Sequence, residues 1–254
     1  MTSATKRPVK TCGMSWDWAD PIRETIFGAP LPGGYTLERV DEETYWDLHE
    51  AELREYFSPD VLFWADGLTA PTRRAARERV IASEDADRLA DYWLVRAGDG
   101  ALAGVFSARQ RLAETFELYH VTMHPDHRGG GLYAELLNRV IAFAQELGFA
   151  TTVSEHAPCN NAVLIRHLKA GFRIIAMEID PMHGASVRLA YFHDPAMLKA
   201  YEFRCGLATM DDTLYAAGFG HFDVLDEQFA QSRETARTAA STSDSSTPST
   251  PNRE

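Results

Sequence analysis

The chain has 254 residues, 45% hydrophobic and 24% charged, a mixture that can bury a core and that excludes wholesale disorder, collagen and coiled coil. Its 37 acidic against 25 basic side chains leave a net charge of -12, so no nucleic-acid partner is expected, because phosphate-binding surfaces need concentrated Lys and Arg. An acidic body suits cationic or amine-bearing partners and is also a common route to solubility. Cys12, Cys159 and Cys205 are odd in number and widely spaced, which suits reduced thiols rather than a disulfide framework or a zinc set. No apolar run approaches the roughly 20 residues a membrane span needs, and the N-terminus has no signal-peptide core. A cytoplasmic protein with no membrane partner is expected.

Residues 1–34 read as an irregular lead-in punctuated by Pro21, Pro30, Pro32, Gly33 and Gly34. Residues 35–40 predict a strand, and Asp41 heads a helix reaching Phe57 with Trp46, Leu53 and Phe57 on one face. Pro59 stops it, residues 58–71 form a loop, and a second helix is predicted over 72–88. Residues 91–97 and 101–109 form a hairpin, since Gly98, Asp99 and Gly100 supply the dihedrals of a tight turn. A strand follows over 115–123. Leu132, Leu136, Val140, Ile141, Ala144 and Leu147 recur at three- and four-residue steps, an amphipathic helix stopped by Gly148. Then come a strand over 151–156, a helix over 160–170, strands over 173–179 and 186–192, and a helix over 195–205. This order gives one α/β domain of the α+β type with a mixed sheet, over residues 35–192. A helical extension, 193–230, carries Tyr201, Phe203, Tyr215, Phe219 and Phe222 to pack against the core or a second subunit. Residues 231–254, rich in Ser, Thr and Pro, are expected to be a disordered tail.

Between the strand ending at Met123 and the strong helix the chain reads His124-Pro125-Asp126-His127-Arg128-Gly129-Gly130-Gly131-Leu132-Tyr133. A glycine loop at a helix N-terminus exposes successive N–H groups at the positive end of the helix dipole, a ready site for a diphosphate, with Arg128 as a charged donor. Three glycines can equally be a flexible turn. A Walker A loop is excluded, since no Lys-Ser or Lys-Thr follows. A Rossmann fingerprint is excluded because Ala134 and Glu135 occupy the place of its third glycine and the strand run is antiparallel. His124 and His127 flank the loop without a third ligand, so no metal is expected. Strict alternation on the strand before the loop puts Glu117, Tyr119, Val121 and Met123 on one face and Leu118, His120 and Thr122 on the other.

These residues resemble the GNAT superfamily of N-acetyltransferases. Its phosphate loop has the form Arg/Gln-x-x-Gly-x-Gly/Ala; Arg128 and Gly131 match, and Tyr133 departs where a small residue is usual. Its second motif, Asn-x-x-Ala-(apolar)-x-x-Tyr-x-Lys-x-Gly-Phe, is similar to residues 160–172: Asn160, Lys169, Gly171 and Phe172 match, Val163 is a small substitution and His167 replaces the Tyr. The resemblance covers residues 35–192 and implies a GNAT-like acyl-CoA N-acyltransferase fold, with a central mixed, mostly antiparallel sheet flanked by helices. It further implies acetyl-CoA as acyl donor and no metal. The backbone amides of Arg128, Gly129, Gly130, Gly131 and Leu132, with Tyr133 beside them, would hold the diphosphate. Val121 and Met123 would pair with pantetheine, Asn160 would contact the CoA arm, and the Met123 N–H would polarise the acetyl carbonyl.

Direct attack by a primary amine of a small molecule is the implied reaction. Glu117 stands where many relatives carry a Glu that in some is the general base, or it bonds within the sheet. His120 is a second candidate base, or a packed strand histidine. His167 occupies the place of a Tyr that can protonate the CoA sulfur, a task open to imidazole, or it is a helix-surface histidine. The acceptor would lie near residues 56–71, with Phe57, Phe63, Trp64 and Asp66. A non-catalytic acyl-CoA-binding module, a protein or peptide N-acetyltransferase, and an acyl group other than acetyl remain open at this point. Homodimers are common on this fold.

Overall fold

The computed structural model describes residues 16–56, 70–73, 75–76, 79, 88–180, 184–217, 227, 230–235 and 237–238. The expected irregular lead-in contains a helix, α1 (Asp20–Phe27), preceded by a 3-10 turn at Trp16–Ala19. Pro21 lies in the first turn of α1, where the missing N–H costs nothing and the fixed φ suits a helix, so a residue that reads as punctuation is a helix start. Ile22, Ile26 and Phe27 join the main core, with the Phe27 ring 4.8 Å from Trp93 and 5.2 Å from Phe143.

β1 (Thr36–Val40) leads to α2 (Glu42–Leu48), whose N-cap Asp41 accepts from the Thr44 N–H at 2.7 Å. The single helix expected up to Phe57 instead changes pitch, through a π-helical turn at His49–Leu53 and a 3-10 turn at Arg54–Tyr56. Phe57, Phe63, Trp64 and Asp66, with most of the helix predicted over 72–88, lie outside the described residues.

β2 (Ala90–Arg96), β3 (Leu102–Leu112), β4 (Thr115–Met123), β5 (Thr151–His156), β6 (Arg173–Asp180) and β7 (Gly184–Phe192) complete a sheet in the order β1-β2-β3-β4-β5-β7-β6. β1 to β4 pair antiparallel in succession, β4 and β5 pair parallel, and β6 and β7 pair antiparallel, the mostly antiparallel mixed sheet expected. The hairpin turn between β2 and β3 places Gly100 at φ 87°, a conformation costly for other residues. α3 (Leu132–Glu146) and α4 (Asn161–Lys169) follow β4 and β5. The main core joins Trp93, Phe106, Phe116 and Leu118 of the sheet to Leu136, Val140 and Phe143 of α3. A smaller cluster of Tyr45, Leu53, Leu94, Leu102 and Val105 lies under α2. Each such side chain contributes about 1.5–3 kcal/mol on burial.

Two irregularities of β4 shape the site. The register pairs Ser107 with His120 but Ala108 with Leu118, so Tyr119 is an extra residue, a β-bulge. The bulge resets the alternation expected from sequence: Leu118, Val121 and Met123 all meet the main core. Glu117 and His120, opposite Arg109 and Ser107 of β3, share the other face. The β4/β5 ladder, moreover, has only three pairs, from Thr115↔Thr151 to Glu117↔Val153, and beyond them the strands diverge.

The chain divides into two units, Met1–Tyr191 and Phe192–Glu254. The second contains α5 (Pro195–Arg204), capped by Asp194, and α6 (Asp212–Ala217), with an ion pair between Lys199 and Asp211. Residues 230–235 and 237–238 are helical, so helix continues past Gln231, where disorder was expected to begin. No helix among the described residues is long and apolar enough to cross a membrane.

Candidate active site

The glycine loop follows a 3-10 turn at Pro125–His127. Gly129 and Gly131 take φ values of 94° and 84°, left-handed conformations that only glycine adopts readily. A Cβ added at Gly129, Gly130 or Gly131 would meet no atom within 4 Å, so the three glycines border open space. Gly131 is the N-cap of α3 and supplies no side-chain cap, which leaves the first-turn N–H groups directed into that space at the positive end of the helix. The arrangement is an anion cradle. The Arg128 amide, expected to belong to it, instead donates to the Pro125 carbonyl at 3.1 Å. The Arg128 guanidinium ties the loop to its surroundings, Nε donating to the Met123 carbonyl at 3.0 Å and Nη2 to the Tyr56 carbonyl at 3.2 Å. Tyr35 closes another side, its hydroxyl 2.9 Å from His127 Nδ1.

Beside the cradle lies the gap between β4 and β5. The His124 N–H donates to the Ala103 carbonyl at 2.9 Å. Bonded and non-bonded pairs alternate in an antiparallel ladder, so Gly104↔Met123 and Phe106↔Val121 are non-bonded pairs. The main-chain N–H and C=O groups of Met123 and Val121 therefore point away from β3, into the gap. Asn160 is the N-cap of α4, its side chain making no capping bond.

The acid-base candidates are held very differently. Glu117 is 5% exposed; its Oε2 accepts from Arg109 Nε at 2.8 Å and its Oε1 from Arg111 Nη1 at 2.7 Å. Both oxygens are thus bound by guanidinium groups. His120 is buried, with Nδ1 2.6 Å from the Tyr45 hydroxyl and Nε2 3.3 Å from Thr122 Oγ1. Burial, assisted by the neighbouring His49, pushes its pKa down to about 3. His49, which sequence reasoning passed over, stacks edge-on to His120 at 4.7 Å and lies 3.4 Å from Thr122 Oγ1. It belongs to the π-helical turn, whose extra residue per turn breaks the 3.6 spacing that would have flagged it.

His167 is fully buried rather than on the helix surface. Its Nδ1 lies 3.1 Å from the Val163 carbonyl; a carbonyl only accepts, so the proton is on Nδ1 and the Nε2 lone pair is free to accept. Burial pushes its pKa down to about 4, so a second proton is absent at neutral pH. This geometry makes His167 an acceptor where a donor was expected. Around it stand His156 at 4.7 Å, Phe172 at 4.7 Å and Tyr133 at 6.0 Å between ring centroids. Among the described residues no group of three or more His, Cys, Asp and Glu side chains is placed to hold a metal ion.

No curated protein matches the chain. Among solved structures the chain is similar to nourseothricin acetyltransferase, at 17% identity and a TM-score of 0.38, over 41% of this chain and 66% of that one. It is also similar to an IAA acetyltransferase from Bacillus cereus, at 18% identity and a TM-score of 0.42, over 62% and 99% of the two chains. A spermidine/spermine N-acetyltransferase from Vibrio cholerae shares 13% identity at a TM-score of 0.44, over 65% and 96%. The family model described as the acetyltransferase (GNAT) family matches residues 42–172. Because that match spans just over half of the chain, from the start of α2 to the residue before β6, the chain belongs to the GNAT acetyltransferase family.

Proposed function

We propose that the protein transfers an acetyl group from acetyl-CoA to the primary amine of a small molecule, the amine attacking the thioester directly. The observation that carries this reading is the junction of the uncapped three-glycine loop with the β4/β5 gap. An anion cradle and an open strand edge lie end to end, which suits a donor with a diphosphate at one end and an extended, amide-bearing arm at the other. The N–H groups of Gly129, Gly130, Gly131 and Leu132 would hold the diphosphate, and the space a Cβ would occupy at the glycines is open to it. Val121 and Met123 would pair with the arm through their main-chain groups, and Asn160 would contact it from α4.

Acetyl-CoA supplies an acyl group activated as a thioester. The Met123 N–H, directed into the gap, would donate to the carbonyl oxygen as negative charge develops there. Of the two base candidates, His120 is held by hydroxyls, whereas both Glu117 oxygens are bound by guanidinium groups. His120 is therefore the residue that would receive the amine proton, through the Tyr45 or Thr122 hydroxyl. Its depressed basicity makes it a transient relay. A net charge of -12 favours a cationic acceptor.

The test is free-thiol release from acetyl-CoA by the full chain against a panel of cationic small amines and peptides, beside calorimetric binding of acetyl-CoA and longer acyl-CoAs. Turnover with one amine class is the expected result. Binding without turnover would favour a non-catalytic acyl-CoA module, and no binding would overturn the reading.

A further inference from the structure

Three buried polar atoms on elements that follow the end of the β4/β5 ladder have no hydrogen-bond partner among the described residues: the Tyr133 hydroxyl, His156 Nε2 and His167 Nε2. They come from three separate elements, the first turn of α3, the end of β5 and the middle of α4. The His167 ring links the other two, 4.7 Å from His156 and 6.0 Å from Tyr133. Leaving a buried polar atom unbonded costs about 1–3 kcal/mol, and such groups call for an explanation. Three together are explained if a bound molecule satisfies them.

We infer that the Tyr133 hydroxyl is the donor that hydrogen-bonds the thioester sulfur and the thiolate that leaves it, an inference that rests on the acetyl-CoA reading above. Tyr133 directly follows the glycine loop, so a donor whose diphosphate sits in the cradle passes this side chain on its way into the gap. His167 cannot serve, since its proton is committed to Val163 and Nε2 can only accept. His156 is neutral at physiological pH, burial and the neighbouring His167 pushing its pKa down to about 3. The adjacent Glu155 is engaged by Arg111 and Arg188, so no carboxylate competes for the Tyr133 proton from that side. Burial raises the pKa of the Tyr133 phenol, which therefore keeps its proton across the working range. In the reaction the amine lone pair forms the C–N bond, the C–S bond breaks and its electron pair stays on sulfur. One amine proton is lost to the base and then to solvent. Tyr133 lends a hydrogen bond to the sulfur and retains its own proton, and the released thiolate is protonated from solvent, so atoms and charge balance. The residue that departs from the usual small one in the loop thereby gains a task.

The experiment titrates CoA bound to the full chain, following thiolate by difference absorbance, in wild type and Tyr133→Phe, with calorimetric CoA affinity and thermal melting of both. In the wild type the bound thiol should titrate below the value of free CoA measured in the same buffer. In Tyr133→Phe it should shift upward by about one pH unit, a tenfold smaller thiolate population at neutral pH, with CoA affinity at pH 6 within about twofold. The melting temperature should hold or rise, because an unbonded buried hydroxyl has been removed. Turnover should fall about tenfold, the rate equivalent of a one-unit shift in the leaving thiol, at unchanged KM for acetyl-CoA. Equal thiol titration in the two proteins overturns the role of Tyr133 even if both bind CoA. Failure of the wild type to bind CoA overturns the acetyl-CoA reading itself and this inference with it, and calorimetry separates the two failures.

Discussion

Arg109 and Glu117 stand directly opposite one another on β3 and β4, the Arg109 Nε donating to Glu117 Oε2 at 2.8 Å. The pair begins a row of alternating charge. Arg111 binds the second Glu117 oxygen and reaches Glu155 of β5, and Arg188 of β7 joins Glu155 to Glu178 of β6. The row runs across β4 and β5 where their ladder ends, and so holds together two strands whose backbones are parting. The same Arg109 lies over the ring of the bulge residue Tyr119, 3.6 Å from its centroid.

Glu117→Gln should therefore act on stability before chemistry. Removing the anion leaves two guanidinium groups facing a neutral amide, a loss discounted because Arg109 and Arg111 are 37% and 29% exposed. The expected cost is about 2 kcal/mol, or about 4–8 °C in melting temperature, with turnover per folded molecule within a few-fold of wild type. An unchanged melt with a hundredfold loss of kcat and loss of the acidic limb of the pH profile would restore Glu117 as general base.

The glycine loop separates conformational from steric demand. At Gly131, φ 84° makes Ala strained by about 1–2 kcal/mol, so Gly131→Ala should lower both stability and acyl-CoA affinity. Gly130 has no positive φ and borders open space, so Gly130→Ala should melt like wild type. Its methyl would nonetheless project into the cradle, and acetyl-CoA affinity should drop about tenfold or more, or about 1.4 kcal/mol. Calorimetry that finds equal affinity for Gly130→Ala and wild type would remove the diphosphate from the loop.

Buried histidines should set the acid limit of the fold. His120 and His156 have pKa values near 3 and His167 near 4 in the folded chain, against about 6.5 when unfolded. Below pH 6.5 the unfolded chain binds more protons, so stability present above that pH is lost as pH falls toward the folded values. Each histidine contributes on the order of 1.4 kcal/mol per pH unit across that window. Glu155 and Asp211, whose pKa values ion pairing and hydrogen bonding lower, lose their contribution only in more acidic solution. Urea midpoints should thus fall steeply between pH 6.5 and 5; a flat profile over that range would show that these rings are charged in the folded state.

Most of this architecture is legible in the sequence because periodicity carries it. The strand Thr115–Met123 and the strand Thr151–His156 have the expected bounds, and the helix after the glycines ends within two residues of Gly148. What was not legible has physical causes. A bulge at Tyr119 depends on the partner strand, so no pattern within β4 announces that Glu117 and His120 share a face. The tautomer of His167 is set by a carbonyl one turn away, which sequence does not weigh against a ligand. α1 was hidden because Pro21 both ends and begins helices, and only its packing on Trp93 and Phe143 decides.

Tyr45 offers the last separation, between a packed histidine and a working one. Its hydroxyl lies 2.6 Å from His120 Nδ1 inside a ring of Trp46, His49 and Tyr92. Tyr45→Phe should cost about 1–2 kcal/mol by leaving a buried ring nitrogen unbonded. Were His120 only packing, kcat would follow the folded fraction alone; as a relay, it should lose about tenfold or more in kcat per folded molecule. With the His120 pKa near 3, the wild-type kcat/KM should rise with pH along the deprotonation of the amine substrate and show no inflection near 6.5. An inflection there that disappears in His120→Gln would mean that the ring titrates at its ordinary value, and that the aromatic wall around it admits water.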